Sequence, residues 1–175
     1  MTGNFYGSSS CANSPATLCA IAEQSQDLKQ LIFTALDPMN GRGRELTRFD
    51  IAPHDYYVWA LSPDGTRIAV LNKNVEGPIH VLSLGGKAPR EVNVKGWSSL
   101  DSVAWAADGA SFFASSPVEQ GSVLLHVDTR GNSQVLWKKE GAPGTLEYAI
   151  PSPDGRHLAI SNWTFDGNVW MMENF

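Results

Sequence analysis

The sequence predicts an all-β chain built from repeated four-stranded antiparallel meanders. Glycine (16) and proline (10) punctuate runs rich in aromatic and β-branched residues, among them six tryptophans, which is the pattern of short strands joined by tight turns. No segment keeps a 3.6-residue apolar period through three helical turns. The nearest, residues 20–36, reads as two strands around the polar stretch Glu23-Gln24-Ser25-Gln26-Asp27. A repeat completes the case. Trp59-Ala60-Leu61-Ser62-Pro63-Asp64-Gly65 aligns with Val103-Ala104-Trp105-Ala106-Ala107-Asp108-Gly109 and with Ala149-Ile150-Pro151-Ser152-Pro153-Asp154-Gly155. The glycines stand 44 and 46 residues apart, and each leads into a β-rich run.

A second ladder keeps the same period. Short apolar runs end at a polar residue at Asp37, Ser83, Asp128 and Glu173, spaced 46, 45 and 45 residues. One unit therefore reads as a first strand entering the Asp-Gly turn, where proline presets φ and glycine supplies a positive φ. A second strand leaves that turn, a third ends at the polar residue, and a fourth follows a Gly-rich link such as Gly85-Gly86-Lys87. Four strands in about 40–45 residues is the size of a β-propeller blade. Strands such as Ile68-Ala69-Val70-Leu71, apolar without alternation, suit sheets buried on both faces.

The elements follow in order. Residues 1–13 are a lead-in that can hold one strand. Blade one covers 14–51, with Ala16-Thr17 standing where Asp-Gly is expected and Arg44-Glu45-Leu46-Thr47-Arg48-Phe49 as its fourth strand. Blade two covers 55–96, its fourth strand being Arg90-Glu91-Val92-Asn93-Val94. Blade three covers 100–141, closing on Gln134-Val135-Leu136-Trp137. Blade four covers 147–175 and stops after its third strand, Val169-Trp170-Met171-Met172. Four blades with the last incomplete predict part of a larger ring. The alternative is a small ring closed by Asn4-Phe5-Tyr6-Gly7 pairing with blade four. A partial ring exposes apolar blade faces, which predicts a homodimer through those faces.

Ser62-Pro63-Asp64-Gly65-Thr66-Arg67-Ile68-Ala69-Val70 and Ser152-Pro153-Asp154-Gly155-Arg156-His157-Leu158-Ala159 resemble the WD40-like PD40 repeat of TolB-type propellers. Ala106-Ala107-Asp108-Gly109 departs from that pattern by losing Ser-Pro. The resemblance covers about residues 14–175. The ending Asn168-Val169-Trp170-Met171-Met172-Glu173-Asn174-Phe175, with Ser14-Pro15-Ala16-Thr17-Leu18-Cys19, looks like the tail of large bacterial proteins. In such proteins the propeller follows a serine/threonine kinase or a winged-helix module. The resemblance implies a sensor or interaction module, and is specific for fold rather than function.

Composition narrows the chemistry. A net charge of −5 argues against a nucleic-acid partner held by bulk charge, and no apolar run approaches the length of a membrane span. Met1 to Ala20 show neither a basic start nor an apolar stretch, so no secretory signal is expected in them. Asp64, Asp108 and Asp154 occupy one place in three blades and read as caps of their own turns rather than a metal or acid–base cluster. His54, His80, His126 and His157 have no metal-ligand spacing, and no cofactor motif is present. Gly41-Arg42-Gly43-Arg44 reads as a hairpin, since it lacks the Gly-Lys-Ser/Thr ending of a phosphate loop. Cys11 and Cys19 fit no zinc or redox template. They are a disulfide candidate or two free thiols, and a bridge favours a periplasmic or other extracytoplasmic setting. Trp97 and Trp163, in loops or at strand ends, are the candidate binding surface.

Two functions remain open at this level. One is a non-catalytic scaffold that binds a protein or peptide partner, or a small ligand. The other is the gating propeller of a prolyl-oligopeptidase-type peptidase, whose catalytic part is not in this sequence.

Overall fold

The computed structural model describes residues 8–73, 75–141, 146–162 and 171, and of Leu146 and Glu147 the backbone only. These residues form fourteen strands and no helix. Blade one holds β1 (Ser9–Cys11), β2 (Cys19–Gln24), β3 (Gln30–Asp37) and β4 (Gly41–Asp50). Blade two holds β5 (Tyr57–Leu61), β6 (Arg67–Asn72), β7 (Ile79–Ser83) and β8 (Arg90–Val92). Blade three holds β9 (Ser102–Trp105), β10 (Ser111–Val118), β11 (Gly121–Asp128) and β12 (Ser133–Glu140). Each is an antiparallel meander in chain order, and β13 (Leu146–Pro151) pairs with β14 (Leu158–Asn162) to begin blade four. The chain is thus a partial β-propeller. The third strand expected over 169–172 and the proposed partner strand at 4–7 lie outside the described residues, apart from the exposed Met171.

Blade one starts earlier than the repeat predicts. Its first strand is Ser9–Cys11, upstream of the 14–51 range, because Cys11 lies opposite Cys19 in the β1–β2 register and a disulfide joins them. The hairpin 12–18, with a cis Ser14–Pro15 bond, takes the place of an Asp-Gly turn. The motif that echoes Ser-Pro-Asp-Gly in blade one lies one connection later, at 25–30 between β2 and β3.

Successive blades touch through their first strands, β1 against β5, β5 against β9 and β9 against β13. The core lies between blades. Ala20, Ala22, Leu31 and Phe33 of blade one meet Ile68, Val70 and Leu82 of blade two. On the opposite face, Ala69, Leu71 and Val81 meet Trp105, Phe112 and Leu125 of blade three. Neighbouring residues of β6 therefore enter two different cores, which is why that strand is apolar throughout. Burying a side chain such as Phe33 or Phe112 contributes roughly 1.5–3 kcal/mol, and only a neighbouring blade supplies the burial. Leu124 and Ala149 begin the junction of blades three and four.

The Asp-Gly turns lock these junctions. In blade two the Gly65 amide donates to the Ser62 carbonyl (2.9 Å), and the Thr66 amide donates to the Asp64 carboxylate (3.1 Å). Gly65 has φ of +69°, and a Cβ there would meet the Cβ atoms of Ala12 and Leu18 in blade one at 3.3 and 3.4 Å. Glycine is required both for the turn and for the close approach of the blades. Arg67, leaving the same turn, reaches the other way. Its Nη2 donates to the Gly109 carbonyl (3.0 Å), and its guanidinium lies 4.6 Å over the Trp105 ring.

Candidate functional site

In a meander, the β5–β6 and β7–β8 connections share one end of the strands and the β6–β7 connection lies at the other. The first of these faces carries a groove of about 750 Å³. Blade one supplies Arg44 and Leu46 from the bulged stretch of β4. Blade two supplies Arg67, Leu84, Lys87 and Arg90 around the β7–β8 loop, and Trp105 of blade three closes the far wall. Arg67 is committed to Trp105, to the Gly109 carbonyl and, at 3.5 Å, to Asp64. Arg44, Lys87 and Arg90 are exposed, and none has a side-chain ion pair or hydrogen bond among the described residues. No Asp or Glu lines the groove.

Two smaller concavities among the described residues also hold polar side chains. The inner strands enclose about 310 Å³ lined by Ser10, Trp59, Ala104 and Tyr148, where the buried Trp59 Nε1 has no hydrogen-bond partner among the described residues. Between blades three and four a cleft of about 520 Å³ holds Ser111 and His126, with Ser111 Oγ 2.8 Å from His126 Nε2. This pair has two parts of a nucleophilic triad. No carboxylate hydrogen-bonds the other imidazole nitrogen among the described residues, and Ser111 is 6% exposed.

The candidate residues fall into place one by one. Trp97 is half-buried and packs on the core shared by blades two and three. Its neighbour Ser98 accepts a hydrogen bond from the Gly77 amide in the β6–β7 connection, so this segment lies on the face away from the groove. Trp163 lies outside the described residues. Asp64, Asp108 and Asp154 stay in their own turns. Asp154 accepts from the Ser152 hydroxyl and the Arg156 amide, which hold its carboxyl below the usual carboxylate range. His80 faces blade one against Phe49, its pKa lowered by burial, whereas His126 sits beside Phe113 toward blade four. No cluster of three or more His, Cys, Asp or Glu suited to a metal occurs among the described residues. The same residues include no helix long and apolar enough to cross a membrane.

Sequence reasoning missed the groove cations. Their signal is present: Arg44-Glu45-Leu46 and Arg90-Glu91-Val92 stand 46 residues apart, one repeat period, each within a fourth strand.

The chain superposes on TolB from Acinetobacter baumannii with a TM-score of 0.62 at 18% identity, covering 87% of this chain and 36% of that one. The fold is a TolB-like propeller. A putative TolB from Agrobacterium tumefaciens gives 0.57 at 20% identity, covering 90% of this chain and 55% of that one. The Dos1 propeller gives 0.53 at 15% identity, covering 89% and 42%. The chain therefore spans about a third to just over half of these propellers. At such identities the likeness is one of fold alone. No family model and no curated relative matches the sequence.

Proposed function

We propose that this propeller is a non-catalytic scaffold that binds a protein or peptide partner, as the sensor or interaction portion of a larger bacterial protein. The observation that carries this reading is the groove on the turn face. Its walls are held by inter-blade contacts, while three of its cations have no partner among the described residues. A rigid, solvent-open surface with unspent charge is suited to recognition. Trp97 gives the opposite face an aromatic contact point. A second copy of the chain is a further partner, since Ile150 (61% exposed) and Ile160 present apolar surface on blade four.

The test is capture on the immobilised chain, identification of the bound protein, and calorimetry with both purified. A saturable complex at fixed stoichiometry, weakened by Trp97→Ala or by substitutions in the groove, supports the scaffold. Turnover on a panel of ester and peptide substrates, lost in His126→Ala and not accompanied by any complex, contradicts it.

A further inference from the structure

We propose that the turn-face groove binds an acidic peptide segment of the partner, its carboxylates paired with Arg44, Lys87 and Arg90 and the apolar side chains between them packed on Leu46 and Leu84. This rests on the scaffold reading above and adds the site and the chemistry of the occupant. Charge is the first argument. The chain carries −5 overall, yet this groove gathers four cations with no carboxylate on its walls, a positive island on a negative molecule. Free guanidinium groups favour carboxylates, which they can grip with two parallel hydrogen bonds. Arg67 is the fixed member of the set, stacked on Trp105 and bonded to the Gly109 carbonyl, so it shapes the wall while the other three remain available.

Register is the second argument. Arg44 and Arg90 lie in the fourth strands of consecutive blades, in the same Arg-Glu-apolar setting, so the fold places one guanidinium on each side of the β7–β8 loop. An extended segment crossing that loop meets a cation from each blade. The alternative polyanion, a nucleic acid, fits less well. Three free cations neutralise few phosphates, and the remaining surface of the chain repels a long anion. Apolar walls and a volume of about 750 Å³ accommodate a short stretch of side chains.

The experiment uses the full chain and a fluorescein-labelled octapeptide of alternating Glu and Leu, titrated by anisotropy. Its Gln-for-Glu counterpart and an eight-nucleotide single strand of DNA serve as rival probes. The Glu-Leu peptide is expected to bind saturably and to weaken as salt rises. Arg44→Glu and Arg90→Glu should each weaken it by about tenfold or more, and the pair should abolish it, while Lys138→Glu on β12 leaves it unchanged. Arg44→Gln and Arg90→Gln, with melting curves beside them, give the same ranking without charge reversal. Equal binding of the Gln peptide, preference for DNA, or indifference to the arginine substitutions overturns the proposal. If the peptides fail while the captured partner still binds through Trp97, the groove assignment falls and the scaffold stands. If no partner binds either, both fall.

Discussion

A serine hydroxyl bonded to an aspartate two residues on is the smallest unit of this architecture. It recurs in Ser62 with Asp64, in Ser152 with Asp154, and in Ser25 with Asp27. In each, the serine oxygen also accepts the amide five residues on, from Arg67, His157 and Gln30 respectively. The third case has no glycine, and so a search for Asp-Gly passes over it, although the polar stretch around Glu23–Asp27 was legible as a turn. Leu28 fills the glycine position with φ of 58°. A leucine in the left-handed region costs on the order of 1–2 kcal/mol, and glycine's extra freedom in the unfolded chain returns only part of that. Leu28→Gly is therefore expected to raise stability by about 1 kcal/mol, read as a higher urea midpoint with an unchanged slope. A lower midpoint would show that the Leu28 side chain contributes more by packing than its backbone costs.

At the scale of the strand, the repeat was legible because each turn type needs particular residues at fixed places. Asp37 and Asp128, found as polar ends of third strands, accept amides from the hairpins that follow, from Met39 and Asn40 and from Arg130 and Asn132. The start of blade one was not legible. Ser9–Cys11 is three residues long, too short to show a period, and a disulfide reinforces its short ladder with β2. Closing the eight-residue separation of Cys11 and Cys19 restricts the unfolded chain, an effect worth roughly 2–3 kcal/mol in the chain-entropy treatment. Cys11→Ser/Cys19→Ser should lose stability on that order, with exchange protection falling first at Cys19–Gln24. An unchanged midpoint would mean that β1 is held by the Asn13 amide to Pro63 carbonyl bond and the neighbouring hairpin alone.

Across the whole molecule, blades two and three each contribute to two cores, and cooperativity between blades is the expected consequence. The sequence shows this only as apolar strands without alternation. The groove was hidden for a related reason: its cations come from two blades, and neither Arg44 nor Arg90 signals anything until the strands are set side by side. Trp105 concentrates the coupling, being 4% exposed in the core between blades two and three, donating from Nε1 to the Ala60 carbonyl (3.1 Å) and lying under Arg67. Trp105→Ala should cost about 3–5 kcal/mol. The direct measurement is hydrogen–deuterium exchange of that variant, peptide by peptide. Blades that depend on each other predict faster exchange in β5 to β7 of blade two together with β9 to β11 of blade three. Faster exchange confined to β9 and β10, with blade two as protected as before, would contradict the interlocked stack on which the scaffold depends.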